Sequence, residues 1–274
     1  FWGLCGGRST FAVVSGMEID LFPVSMVYGG SIVYPAELAR DVLERYRSWI
    51  ATTSEELTSS VALMNLPPLP FIPEILRGKS VIMVRACYCG PLDEAEAHFQ
   101  TWQDGPDPIA NFLGPMPFSQ VAQISQDPQD PIPGYVSGAW IRELNDEIVD
   151  TLISRTYVSD GPPPLIFAEV RHVGGAMGRV DPATNAVGHR QESLVLELLG
   201  MTPSPEIYEQ VIGYIGNLLQ AIEPHLTGVY PNFIEGPEAQ NVFAQAFSPE
   251  AYDRLKAIKV QYDPQNRFRY GLEF

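Results

Sequence analysis

A chain of 274 residues is long enough for one large domain or two smaller ones, and either could enclose a real core. Its 45% hydrophobic and 18% charged residues are ordinary for a globular protein, and no apolar run approaches the ~18–20 residues that span a bilayer. A net charge of -16 with scattered basic residues argues against a nucleic-acid partner, because a phosphate backbone recruits clustered Lys and Arg.

The chain opens FWGLCGGRSTF, a glycine pair set before an apolar run. Residues 11–22 alternate Phe11, Val13, Ser15, Met17, Ile19 and Leu21 against Ala12, Val14, Gly16, Glu18 and Asp20, which predicts a strand. A second strand is expected over 26–35. Pro35 then suits the first turn of a helix carrying Leu38, Val42, Tyr46, Trp49 and Ile50 on one face. Residues 59–66 and 79–88 read as strands separated by a Pro-rich loop. A helix with Pro91 at its start turns Ala95, Phe99 and Trp102 inward. Strand, helix, strand, strand, helix is the opening of a split βαβ unit.

Residues 104–139 are rich in Pro, Gly and Asp and predict loops and short elements. A helix is expected over 141–155 with Leu144, Ile148 and Leu152 on one stripe, and strands within 161–175 and 189–200. Ser204 and Pro205 suit the cap and first position of a long helix over 204–224. Residues 228–236 read as short and irregular, and the last forty as helical up to Lys259 before a turn at YDPQN. No fixed-period repeat is visible. The predicted fold class is α+β, a sheet covered by helices.

Cys5, Cys87 and Cys89 are too few and too unevenly placed for a disulfide framework. Cys87 and Cys89 share a strand face, and buried core cysteines are the favoured reading over a metal pair. In HRQESLVLELLG, Leu194, Leu196 and Leu198 share one face of the strand, so Glu197 points the other way. A carboxylate there can act as a base or orient a substrate hydroxyl or amine. The alternative is a solvated glutamate on the outside of a sheet. HVGGAMG lacks the Lys and Ser/Thr of a phosphate loop and reads as a tight turn.

Three segments together resemble the berberine bridge enzyme-like flavoproteins: FWGLCGGRSTFAVVSGMEIDLFPV, GVYPNF with GGAMGRV and the His189-Arg190 pair, and YDPQNRFRYGLEF. The resemblance covers the whole chain. It implies a flavin-dependent oxidoreductase of the vanillyl-alcohol oxidase superfamily, oxidising an alcohol or amine of a small organic substrate by hydride transfer to FAD. It also implies an antiparallel sheet behind the active site. Residues 1–23 would end the FAD-binding domain, 24–235 form the substrate domain, and 236–274 return to the FAD domain. The N-terminal FAD-binding half would be missing, so the isolated chain should bind FAD weakly or not at all.

On that template Tyr230 is the first candidate for the base, with Glu197 beside it, while His189-Arg190 reads as a pair that holds a loop. Gly6, Gly7, Asn232, Tyr262 and Asn266 are the expected cofactor contacts. Two places depart from the family: Gly271 stands where an Asn is usual, and Arg8-Ser9-Thr10 interrupts the glycine run. These departures support an alternative, a non-catalytic binding or assembly remnant without a flavin site. A cytoplasmic location is expected, with secretion left open.

Overall fold

The computed structural model describes residues 1–70, 72–127, 130–269 and 271, and only the backbone of Ser9 and Pro237. Phe71 in the Pro-rich loop, residues 128–129, Tyr270 and the last three residues of the YDPQNRFRYGLEF motif lie outside that range. The strand β1 (Met26–Pro35) is followed by helix α1 (Ala39–Ile50), then β2 (Leu57–Asn65) and β3 (Ser80–Tyr88). β3 sits between β1 and β2 and runs antiparallel to both, which is the predicted split βαβ unit.

The same device appears again further along. β6 (Gly134–Ile141), α4 (Asp146–Thr156), β7 (Phe167–His172) and β8 (Leu194–Met201) repeat it, with β8 between β6 and β7. The two units join through β2 and β7, and short edge strands lie outside them. These are β4 (Ala110–Asn111) and β5 (Gly114–Pro117) on β1, and β9 (Leu226–Val229) on β6. Among the described residues the result is one antiparallel sheet of nine strands in the α+β class. The duplication is one of topology, which a search for periodic residues does not detect.

Helices cover one face of this sheet. Val42, Leu43, Tyr46 and Trp49 of α1, Ile148, Val149 and Leu152 of α4, and Val211, Ile215 and Leu218 of α5 (Pro205–Ala221) pack on it. They meet Val61, Leu63, Ile82, Val84, Ala168, Val170, Leu194, Leu196 and Leu198 from the strands. Burying each such side chain stabilises the fold by about 1.5–3 kcal/mol. Caps start the helices where expected: Ser204 accepts from the Ile207 N–H, and Asn145 accepts from the Ile148 N–H at 3.0 Å.

Four expectations are corrected. Residues 12–25 form no strand; the segment is irregular, and Val13, Met17, Ile19, Leu21 and Phe22 are exposed. Alternation alone does not make a strand when no neighbouring strand accepts its hydrogen bonds among the described residues. Residues 134–139, read as loop, belong to strand β6, which lies between β8 and the edge strand β9. Its Gly134, Ser137 and Gly138 weaken the strand signal, and Ile141 closes β6 instead of opening the helix, which starts at Asp146. The helix after Pro91 is two short turns, α2 (Ala95–His98) and α3 (Gln100–Gln103), although Ala95, Phe99 and Trp102 are buried as expected. The cysteines are not core residues: Cys89 lies past the end of β3 and is exposed, while Cys5 and Cys87 are half-buried. No His/Cys/Asp/Glu cluster able to hold a metal exists among the described residues.

The two ends of the chain meet in a satellite core. Trp2 and Phe11 pack with Ala186, Ile234, Phe243, Phe247 and Leu255, drawing in α6 (Gly236–Val242) and α7 (Pro249–Tyr262). The Lys259 ammonium clasps them, donating to Thr10 O at 2.9 Å, Asp263 Oδ2 at 2.6 Å and Phe268 O at 3.1 Å.

Candidate active site

Strand register places two rows of side chains on the face away from the helices. One row runs Met83, Ala62, Glu169, Glu197, Gly138, and the next runs Arg85, Ser60, Arg171, Val195, Trp140. Glu169 and Glu197 therefore sit directly opposite each other on β7 and β8, a pairing that like charges disfavour. Arginines from the neighbouring row offset it. Glu169 accepts from Ser60 Oγ at 2.6 Å, from Arg85 Nη1 at 3.0 Å and from Arg171 Nε at 3.0 Å. Arg171 Nη2 also donates to Glu197 Oε2, so a single guanidinium bridges both carboxylates.

The two acids behave oppositely. Burial works to raise the Glu169 carboxyl, but Arg85, Arg171 and the Ser60 hydroxyl outweigh it and hold it below the ordinary carboxylate value. Glu197 is pushed up to about 7, first by burial and further by Glu169 and Asp127, against the pull of Arg171 and Arg85. A carboxyl poised there changes charge near neutral pH, which is what a general base requires.

The far end of this face is aromatic. After β9 the chain turns at Tyr230-Pro231-Asn232-Phe233, with the Tyr230 N–H donating to Gly138 O at 3.1 Å and the Phe233 N–H to Tyr230 O at 3.0 Å. Phe233 lies directly over Gly138. A Cβ at Gly138 would come within 2.5 Å of the Phe233 Cβ, so only glycine lets the turn settle on β6. The Tyr230 ring packs on Phe233 at 4.8 Å and edge-on to Trp140 at 5.3 Å, and the Arg171 guanidinium stands 4.9 Å from the Phe233 ring centre. Register thus brings both predicted catalytic residues, Tyr230 and Glu197, around one glycine.

The remaining predicted residues sit at various distances from this centre. Asn232 is exposed on the turn. Gly6 and Gly7 lie in the opening loop, where their space is filled by the protein itself. A Cβ on Gly6, whose φ is +112, would meet Val187 N at 2.5 Å, and one on Gly7 would meet Gly3 O at 2.3 Å. Arg8 turns inward and donates to Pro231 O and, at 3.4 Å, to Ile234 O, which braces the Tyr230 turn. Tyr262 is 74% exposed at the end of α7. Asn266 takes a left-handed φ of 47 in the turn closed by its N–H to Asp263 O at 2.9 Å. His189 Nε2 is 2.8 Å from Gln245 O, and Arg190 donates to Met177 O and Asn185 Oδ1, both at 2.9 Å, as expected of a pair that holds a loop. Glu169, Arg85 and Arg171 come together only through the strand register, which no spacing in the sequence announces.

Comparison with known proteins bears on this arrangement. Residues 229–272, which contain the Tyr230 turn, match the family model described as berberine and berberine like. That segment is berberine bridge enzyme-like. It is 25% identical over 276 residues to an uncharacterized FAD-linked oxidoreductase, YgaK, of Bacillus subtilis, covering 98% of this chain and 57% of that one. It is 24% identical over 288 residues to (R)-6-hydroxynicotine oxidase of Paenarthrobacter nicotinovorans, covering 99% of this chain and 59% of that one. In fold it is similar to 6-hydroxy-D-nicotine oxidase from Arthrobacter nicotinovorans, with a TM-score of 0.72 at 19% identity over 99% of this chain and 60% of that one. The chain therefore spans less than two thirds of the length of the relatives it matches. The first of these relatives is named as an FAD-linked oxidoreductase and the second as an oxidase. No helix among the described residues is long and apolar enough to cross a membrane.

Proposed function

We propose that this chain is the substrate-domain part of an FAD-dependent oxidoreductase that oxidises an alcohol or amine of a small organic molecule. Residues 1–23 and 236–274 would belong to its FAD-binding domain, whose N-terminal half completes the protein. The observation that carries the reading is the buried Glu197, poised to gain or lose a proton at neutral pH beside an aromatic wall. FAD supplies the hydride acceptor when bound. Glu197 would take the proton from the substrate hydroxyl or amine, with Tyr230 orienting that group and Arg171 holding the carboxylate in place.

The residues present suit the ring part of such a cofactor. Trp140 Nε1 is a buried donor without a partner, and it lies among the rings of Tyr230, Phe233 and His189. Tyr230 and the exposed Asn232 would hold a flavin edge from this side, with the exposed Tyr262 and Asn266 as outer contacts. A diphosphate needs clustered backbone N–H groups, and at Gly6 and Gly7 the close approach is to the protein's own backbone. The diphosphate would therefore rest on the other half of the protein. The same packing at Gly6 and Gly7, with Arg8 turned inward, favours the second reading, a binding or assembly remnant.

The test uses full-length protein mixed anaerobically with a panel of alcohols and amines, following flavin bleaching. Glu197→Gln is expected to slow bleaching by about 10²–10⁴-fold, the usual contribution of a general base, and Tyr230→Phe to slow it less. A Glu197→Gln rate equal to the wild-type rate would remove Glu197 as the base.

A further inference from the structure

Glu169 is the most enclosed charge on the open face, its side chain 3% exposed, and no step of the proposed chemistry uses it. It is nevertheless the hub of the network. Its Oε1 accepts from Ser60 and Arg85, which leaves Oε2 for Arg171. Arg85 is itself fixed, its side chain 9% exposed and Nη2 directed at Ser125 O at 3.5 Å. The only member with freedom to move is Arg171, whose side chain is 42% exposed and which reaches from Glu169 to Glu197. A guanidinium can span two carboxylates because its donors form a rigid fork; an ammonium cannot do so at the same geometry.

We propose that Glu169 is a positioning residue: anchored by Arg85 and Ser60, it fixes the Arg171 fork so that Glu197 is held in one place on the substrate face. The proposal rests on the reading of Glu197 as the base. Without the anchor, Arg171 is free to swing away from both carboxylates or to pair with Glu197 alone. The groups that face Glu197 are Arg171 and Glu169 from β7, Arg85 from β3 and Asp127 from the loop after Phe118–Gln123. Of these, Glu169 and Asp127 favour the protonated acid, and the arginines favour the carboxylate. The anchor therefore does two things at once. It places Arg171, and it keeps a second negative charge beside Glu197.

The two roles make variants move in opposite directions. The measurement is the pH dependence of flavin bleaching in full-length protein, whose acidic limb belongs to Glu197. Glu169→Gln keeps the shape and removes the charge, so the limb should fall by roughly one pH unit. Arg171→Lys keeps the charge and removes the fork, so the limb should rise by a similar amount. A merely structural role would lower the rate in both variants and leave the limb where it is. If Glu169→Gln fails to fold, the partly exposed Arg171→Lys decides alone, and an unmoved limb overturns the proposal. Glu197→Gln separates the two readings. A limb that survives in it overturns the assignment of Glu197 and this proposal with it. A limb that vanishes there, yet stands still in the other two variants, overturns the positioning role only.

Discussion

Glu197 makes stability depend on pH in a window set by its own titration. In the unfolded chain it titrates near the ordinary 4.5, and in the folded protein near 7. Between those values the folded state holds a proton that the unfolded state has lost, so folding is favoured below about 4.5 and the advantage disappears as pH rises through 7. The gap corresponds to on the order of 3 kcal/mol, since each pH unit is worth about 1.4 kcal/mol. Glu169 has the opposite sign, but its depressed value confines its effect to more acidic solutions. The perturbation is Glu197→Gln, which leaves a neutral side chain of the same shape against Arg171. Urea unfolding at pH 5 and pH 8 gives the assay. Wild type should lose stability between the two, and the variant should show most of that loss removed. Equal pH dependence in both proteins would refute the assignment of the shifted group.

Further outcomes follow from other parts of the fold. Gly138→Ala sets a methyl 2.5 Å from the Phe233 Cβ, so it should cost about 1–3 kcal/mol in urea unfolding and slow substrate oxidation by displacing the Tyr230 turn. An unchanged unfolding midpoint would mean that the turn does not rest on β6. Asp263 accepts from Lys259 and from the N–H groups of Arg267 and Phe268, which together hold its carboxyl at about 2. Its contribution is present above the ordinary 3.8 and fades as pH falls through 2, so Asp263→Asn should abolish that last acid transition in a circular dichroism titration. Ser204→Ala removes the cap of α5 and should lower stability by about 1 kcal/mol, read from the same unfolding curves.

The elements legible in the sequence are those whose signal is local. β1 carries consecutive β-branched and aromatic residues and ends at a proline, and α5 announces itself by Ser204-Pro205 and an apolar stripe. Glu197 is legible for the same reason, since a two-residue period with three leucines on one side fixes its direction. What stays hidden depends on neighbours far along the chain. β6 looks like loop because Gly138 serves Phe233, which lies 95 positions later. The alternating residues 11–22 look like a strand, but alternation does not say whether a neighbour exists to pair with. The Arg85–Glu169–Arg171 network joins β3 to β7 across β2, and no spacing in the sequence announces it. The Tyr230 motif is visible in the sequence, while its seat on Gly138 and its brace from Arg8 appear only in three dimensions.

The claim on which the account turns is that this chain forms the substrate side of an FAD-dependent enzyme. Purifying the full-length protein and measuring its flavin content, then its anaerobic bleaching by alcohols and amines, tests that claim most directly. The account predicts stoichiometric FAD that a member of one of those classes reduces, and little or no flavin on residues 1–274 alone. A well-folded full-length protein that is colourless, or whose flavin no alcohol or amine reduces, would contradict it.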